Sequence, residues 1–551
     1  MKLKNLKFIS LSILFLVFTG SVFKGEDDIY DKINKNLDVI GKVYREVTLN
    51  YVDEIDADKF IKAGIDGMLN TLDPYTSYFD ENSRDQIDLI TLGKYGGVGI
   101  TVGFRDSIVT ITEIMNGYEA QRKGLRRGDK IIELDGVPVS SMKIEELRKK
   151  VRGSVGSPIR MKILRDDETI DFDLTREEII LKNISYTGYI DDKSKGIGYI
   201  KLERFTQNSD TEFENSLKTL LATGPLNGLI IDLRGNGGGL LDAAVGILNN
   251  LVDKNSLLVI IKGRNINSEK KYFSNKEPLL PKNVPLAVLI DSNTASASEI
   301  VAGAIQDLDR GVVIGNTSFG KGLVQQFKDL NPESQLKITL SRYFTPSGRW
   351  IQEKNYFKEN KSGVFLNKDL FSITEFKTLN GRKVTAFGGI TPDVKFGVTV
   401  ESDIHKDLLD KDIFFRFANN YLLTNQVNGL FRADERTFEE FKSYLNSTGY
   451  NYNSPSDKKI NDLRKIAAGK NFGDNYNQLL DQLSAQVASE ESNELNAAKD
   501  EIMKSIEVEI NKRQVSESEQ IEARFPADLV LMEAVRIITD RSLYDSYLKP
   551  F

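Results

Sequence analysis

The sequence predicts a multidomain α/β protein with helical segments at both ends. Three observations carry this reading. Strands and helices alternate from Ile197 to Gly315. Glycine-punctuated strands with one helix fill Tyr95 to Leu174. Helix-spaced apolar residues occupy the chain before about Asp88 and beyond about Val400. A chain of 551 residues is long enough for several domains of roughly 100–200 residues each. The expected division is a signal peptide at 1–24, an N-terminal helical segment at 25–90, a β-rich domain at 91–177, an α/β core at 178–398 and a C-terminal helical region at 399–551.

Lys2, Lys4 and Lys7 precede an apolar run from Phe8 to Phe18, broken by Ser10 and Ser12 and followed by Gly20 and Ser21. This is the layout of a secretory signal peptide, and the run is short against the ~20 residues of a membrane span. Export to the periplasm or cell envelope is expected. Retention of the run as an inner-membrane anchor is the alternative. After it, Ile33, Leu37, Ile40 and Val43 recur at helical spacing, as do Phe60, Ile61, Ile65 and Leu69. Leu72-Asp73-Pro74-Tyr75-Thr76-Ser77 is a turn signal near the end of this stretch.

In the β-rich domain, strands are expected around Val102–Phe104, Ile108–Ile111, Lys130–Leu134, Ile159–Ile163 and Ile170–Leu174. Ile144, Leu147 and Val151 mark one helix face. In the core, Ile197–Ile200, Leu229–Leu233, Leu286–Ile290 and Val312–Gly315 read as strands. The nearly continuous apolar runs predict a sheet covered on both sides. Ser209-Asp210-Thr211-Glu212 reads as a capping box opening a helix with Phe213, Leu217, Leu220 and Leu221 inside. Past Val400, Leu479, Leu480, Leu483 and Val487, then Leu495, Ile502, Ile506 and Ile510, read as helical faces.

Composition narrows the chemistry. The chain has no cysteine and one histidine, His405. Thiol nucleophiles, disulfides, iron–sulfur clusters and thiolate zinc sites are excluded, and one imidazole cannot build a multi-histidine metal site. A hydrolase with this composition takes its base from Lys, Asp or Glu. His405 reads as a surface residue. The net charge of −6 gives no reason to expect nucleic acid as a partner.

Ser296 follows the strand ending at Ile290 and precedes Ile300, Val301, Ala304 and Ile305 at helical spacing. A serine at such a junction has backbone N–H groups beside it that no helix bond uses. These N–H groups, with the helix dipole, can stabilise an oxyanion. The plain alternative is a helix N-cap. Lys321 lies in Gly320-Lys321-Gly322, and neighbouring strand ends can bring the two loops to one edge of the sheet. As a base it must be neutral, well below its ordinary pKa of about 10.4, which burial away from other cations can supply. Otherwise it is a solvated loop lysine or a phosphate ligand, although the phosphate-loop pattern is absent. Gly237-Gly238-Gly239 at the end of the strand Leu229–Leu233 suggests close backbone approach, with a flexible turn as the alternative.

At these residues the sequence resembles the carboxyl-terminal processing peptidases, or tail-specific proteases, from about residue 40 to 395. Thr294-Ala295-Ser296-Ala297-Ser298-Glu299-Ile300 is similar to the nucleophile segment, Asp232-Leu233-Arg234-Gly235-Asn236-Gly237-Gly238-Gly239 to the oxyanion loop, and Gly389-Ile390-Thr391-Pro392-Asp393 to the segment closing the core. Leu72 to Phe79 is similar to the family's N-terminal signature. The resemblance implies a crotonase/ClpP-like core with Ser296 as nucleophile, Lys321 as base, Gln325 orienting that lysine, and the Gly239 and Ala297 N–H groups as the oxyanion hole. It also implies a PDZ domain whose loop at Gly97, Val98, Gly99 and Ile100 binds a carboxylate, so that protein substrates are taken by their C-terminal tails. The implied reaction needs no metal and no other cofactor. An adaptor or activator and a homo-oligomer are further expected partners. The competing readings are a catalytically silent PDZ-containing binding scaffold in the cell envelope, an amidase or esterase with the same Ser–Lys chemistry, and an acyl-coenzyme A enzyme on the same fold.

Overall fold

The computed structural model describes residues 29–105, 108–165, 167–190, 196–265, 268–354, 356, 375–397, 401–452, 454–470, 473–491 and 493–550. The expected signal peptide lies outside the described residues. The chain divides into two compact units, the smaller holding the described residues up to Phe79 together with Gln326–Ile338 and Tyr356. Among the described residues no helix is long and apolar enough to cross a membrane.

In the smaller unit, a helix over 29–50 leaves its apolar stripe at Ile33, Leu37, Ile40 and Val43 exposed. The helix Ala57–Leu69 starts at Asp56, whose Oδ1 accepts the Lys59 N–H, and Phe60 stacks on Tyr44. Helix gives way at Asp73, whose Oδ1 takes the N–H groups of Tyr75 and Thr76. The chain then extends as the strand Ser77–Phe79, antiparallel to Gln335–Lys337, inside a stretch expected to be helical.

The larger unit begins with the β-rich domain. Its sheet runs Ile100–Arg105, Ile108–Ile114, Lys130–Leu134, Pro158–Arg165, Glu168–Thr175 in spatial order, which makes Ile100–Arg105 an edge strand. Lys94–Gly97 pairs separately with Glu177–Ile180. The helix Ile144–Val151 buries Leu147 and Val151 in a core with Ile111, Leu134 and Ile163.

The α/β core is a sheet in the order Ile184–Tyr189, Ile197–Leu202, Gly228–Asp232, Leu286–Ile290, Val312–Gly315, Val394–Lys395. The first pair is antiparallel and the rest are parallel. Strand alternation sends Leu229 and Ile231 to one face and Ile230 to the other. The helices Ser209–Thr223, Leu241–Leu248 and Ala297–Asp307 pack on the first face. The second is covered from the far end of the chain, by Phe525 and by Leu531, Ala534, Ile537, Ile538 and Tyr544 of the helices Leu529–Thr539 and Arg541–Tyr547. Each large side chain buried there contributes about 1.5–3 kcal/mol. A Cβ on Gly228 would lie 2.2 Å from Ile538, so strand and helix meet at a position only glycine fits.

Two local expectations are corrected. Ser209 is the first residue of its helix and not the cap. Asn208 is the cap, the Ser209 Oγ donates to the Thr206 carbonyl, and Glu212 accepts from Asn183. Leu221 turns outward while Phe213, Leu217 and Leu220 are buried.

The helices Asp403–Asp410, Ile413–Thr424, Glu435–Ser447 and Lys499–Gln514 form their own core around Phe414, Phe417, Phe441, Ile502, Ile506 and Ile510, while Leu479 and Leu483 of the helix Asp474–Glu491 stay exposed. His405, expected at the surface, is 5% exposed. Its Nε2 meets the Ser505 Oγ at 2.7 Å, its Nδ1 lies 3.2 Å from Glu401, and its ring packs on Phe414. It sits among these helices, not among the loops that carry Ser296 and Lys321. This helical domain grips the β-rich domain. Arg105 pairs with Asp412 at 2.9 Å, and Arg105, Arg127 and Arg513 surround the Phe415 ring. Gly128 approaches Asn419 so closely that a Cβ would fall 2.4 Å from its amide nitrogen.

Candidate active site

Ser296 stands at a sharp turn from the strand Leu286–Ile290 into the helix Ala297–Asp307, with φ +56° and ψ −116°. A non-glycine residue there stores about 1–3 kcal/mol of strain and must be held by its surroundings. Its N–H donates to Glu299 Oε2 at 2.8 Å, and its carbonyl accepts from the Tyr343 hydroxyl at 3.1 Å. Just before it, the Ala295 N–H donates to the Asn236 carbonyl, and the Thr294 Oγ1 donates to the Leu233 carbonyl. The turn places Ser296 at the start of the helix, where the Ser298 and Glu299 N–H groups are taken by the Ala295 and Ser296 carbonyls and the Ala297 N–H is left over.

The glycine-rich loop lies against this turn. A Cβ built on Gly238 would fall 2.8 Å from the Ser296 Cβ and 2.8 Å from the Ala297 nitrogen, so only glycine fits. Asn236, fully buried, organises the loop. Its Nδ2 donates to the Leu202 carbonyl, its Oδ1 accepts the Gly238 N–H, and its carbonyl accepts from the Ser298 Oγ. Gly239 forms a parallel bridge in which Phe205 uses its own N–H and carbonyl toward Gly238 and Leu240. That leaves the Gly239 N–H turned away from Phe205. Among the described residues neither this N–H nor that of Ala297 donates a hydrogen bond. Two unspent donors beside a strained serine can stabilise negative charge.

Lys321 is part-buried in a loop that closes on the serine turn. Its N–H donates to Glu299 Oε2 at 2.9 Å, while Glu299 Oε1 accepts from the Gly320 N–H and the Ser318 Oγ. Phe319 donates to the Thr294 carbonyl, and Tyr343 takes the Gly322 carbonyl with its N–H. Gly320, at φ +79°, packs where a Cβ would meet Glu353 at 2.6 Å. Gly389-Ile390 clamps the loop from behind, because the Ile390 N–H donates to the Ser318 Oγ. Burial pushes the Glu299 carboxyl above its ordinary range, and the donors at both oxygens oppose that push. Gln325 lies on the strand Leu323–Asn331, and its Nε2 donates to Thr339 Oγ1 at 3.0 Å.

The structure thus brings together the loops of Ser296, Ala297, Gly239 and Lys321. Sequence reasoning named Glu299 only as part of a motif. Its spacing from Ser296 is that of a capping box, the signal that could have found it. Asn236 and Tyr343 carried no comparable signal.

At the β-rich domain, Gly97, Val98, Gly99 and Ile100 are buried. Gly99 has φ +82°, and a Cβ there would lie 2.5 Å from Tyr118. The Val98 and Gly99 carbonyls accept from Ala120 and Met115, while among the described residues their N–H groups donate to nothing. Buried backbone donors without a partner are costly, and donors placed beside an edge strand can receive an anion.

The sequence matches the profile of peptidase family S41 over residues 196–360, a PDZ domain over 86–164, the activating protease CtpB N-terminal domain over 19–83, and the C-terminal helical domain of a probable PDZ-protease over 404–538. It is 36% identical over 324 residues to the carboxy-terminal-processing protease of Bartonella bacilliformis (strain ATCC 35685 / KC583 / Herrer 020/F12,63), covering 58% of this chain and 73% of that one. It is 34% identical over 324 residues to the carboxy-terminal processing protease CtpB of Bacillus subtilis (strain 168), covering 58% and 66%. It is 31% identical over 440 residues to a probable CtpA-like serine protease of Staphylococcus aureus (strain N315), covering 78% and 85%.

Proposed function

The chain belongs to the carboxy-terminal processing protease family, serine-type peptidases of family S41 with a PDZ domain, and from that premise we propose that it cuts protein substrates by a Ser–Lys mechanism after taking them by their C-terminal tails. The observation that carries the reading is the Glu299 carboxylate, which ties the backbones of Ser296 and Lys321 to one oxygen.

In this reading neutral Lys321 accepts the Ser296 hydroxyl proton as the oxygen attacks the scissile carbonyl. The Gly239 and Ala297 N–H groups hold the oxyanion. Protonated Lys321 gives its proton to the leaving amine, and water then releases the acyl-enzyme through the same base. Gln325 has its amide nitrogen engaged by Thr339, which leaves its oxygen as the acceptor for orienting the Lys321 ammonium. The Val98 and Gly99 N–H groups receive the tail carboxylate, and the tail adds as a strand along Ile100–Arg105. The apolar N-terminal run supports export to the periplasm or cell envelope. An adaptor and a homo-oligomer remain part of the proposal.

The test is cleavage of an unstructured protein with an apolar C-terminal tail. Ser296→Ala, Lys321→Ala and Lys321→Arg, whose guanidinium cannot act as a base, all abolish turnover, and wild-type activity declines as acid protonates the lysine. Full activity in any of these variants would overturn the assignment.

A further inference from the structure

We propose that Asp528, at the head of the C-terminal helix Leu529–Thr539, is a positioning residue for the oxyanion loop and acts through Arg234. The inference rests on the reading of Gly239 as an oxyanion donor.

Arg234 is the residue by which the strand Gly228–Asp232 enters the loop Gly235–Gly239. The far side of that loop is fixed by the Phe205 bridge and its middle by Asn236. Its entry has no apolar side chain to pack, because Gly235 sits at φ +76° with open space where a Cβ would be. The Gly235 N–H is held by the Asp291 carboxylate at 3.0 and 3.1 Å, and on the other side of the entry the Arg234 guanidinium is held between two carboxylates. Nε and Nη2 meet Asp232 at 3.0 and 2.7 Å, while Nη1 and Nη2 meet Asp528 at 3.0 and 2.7 Å. The Arg234 N–H also donates to Asp232 Oδ1. Asp232 cannot serve as the sole anchor. It is 1% exposed and already receives the Tyr199 hydroxyl at 2.6 Å, with Lys201 at 3.7 Å. Removing Asp528 leaves a half-buried planar cation with Nη1 unmatched, and such a group re-aims to find an acceptor, taking the loop entry with it.

Asp528 also caps its helix, because Oδ1 accepts the Leu531 N–H at 3.0 Å. The two roles are separable. Serine is an equally good N-cap but gives Arg234 no carboxylate. A matched control stands one helix later. Asp540 caps Arg541–Tyr547 through the Leu543 N–H and makes no ion pair or side-chain hydrogen bond with an arginine among the described residues, Arg536 acting on it only at longer range.

The experiment measures kcat and KM on an unstructured polypeptide with an apolar tail, the rate of Ser296 labelling by a fluorophosphonate, and the melting midpoint of the full chain. Asp528→Ser is expected to lose roughly 10- to 100-fold in kcat and in labelling rate, the scale of a small misplacement at a catalytic centre, with KM and midpoint close to wild type. Asp528→Glu recovers most of the loss, and Asp540→Ser keeps wild-type kcat. Arg234→Lys, which keeps the charge but lacks the fork, lowers kcat to a similar degree and stands in should Asp528→Ser not fold. Wild-type kcat in Asp528→Ser or Arg234→Lys, with Ser296→Ala inactive, would overturn this inference alone. So would equal losses in Asp528→Ser and Asp540→Ser that track the melting midpoint. An active Ser296→Ala would overturn the catalytic reading and this inference together.

Discussion

Ser296 and Lys321 donate their backbone N–H groups to the same oxygen of Glu299, at 2.8 and 2.9 Å. The distance between the two loops is therefore set by one buried carboxylate and not by the flexible side chains that would do the chemistry. Glu299→Gln turns one of its oxygens into an NH₂ group that faces donors. We expect kcat to fall at least tenfold and stability by about 1–3 kcal/mol, the cost of stranding buried donors. Steady-state kinetics and denaturant unfolding of the variant check both.

Gly238 and its neighbour Gly237 should respond differently to the same change. Gly238→Ala places a methyl 2.6 Å from the Ala295 carbonyl oxygen and 2.8 Å from the Ala297 nitrogen at φ +93°, whereas a methyl on Gly237 meets nothing within 4 Å. The melting midpoint is expected to drop for Gly238→Ala and to stay near wild type for Gly237→Ala. Equal midpoints would show that the loop yields more readily than its contacts suggest.

The Asp232 network gives an acid-side signature. Burial pushes this carboxyl up, but Arg234 with Lys201 and Tyr199 outweighs burial and holds it below its ordinary value of 3.8. The folded state therefore binds the proton less readily than the unfolded chain. The stabilisation is fully present above pH 3.8 and is lost as pH falls through the depressed value. The stability advantage of wild type over Asp232→Asn should shrink as unfolding is measured from pH 6 down toward 3.

The contact between Arg105 and Asp412 makes the helical domain a brace for the PDZ domain. With side chains 33% and 24% exposed, the pair itself is worth at most about 1 kcal/mol. Arg105→Asp should raise amide exchange along Ile100–Arg105 and Ile413–Thr424. Adding Asp412→Arg should restore protection. Exchange unchanged in the single variant would mean that Phe415 and its arginines hold the interface without the ion pair.

Much of this architecture was legible. The continuous apolar runs at Leu229–Leu233 and Leu286–Ile290 announced a sheet buried on both faces, and Ser296 between strand and helix announced the turn. What covers the second face was not legible. Helical periodicity at Leu531, Ala534 and Ile538 says that a face is apolar but not which distant surface it meets. His405 was misjudged for a related reason. Its partners Glu401, Ser505 and Phe414 come from two helices and a preceding turn that only tertiary packing joins. Ser209 shows the limit of local motifs. The Thr206 carbonyl and Asn183 offered its box residues better partners than each other.

The sheet that carries Ser296 is synthesised long before the helix that closes its second face. Until Leu529–Thr539 has emerged, Ile230, Ala287 and Leu289 have no cover, and Arg234 lacks its second carboxylate. A chain still being made, or cut short by a premature stop, is therefore a protease without a finished core.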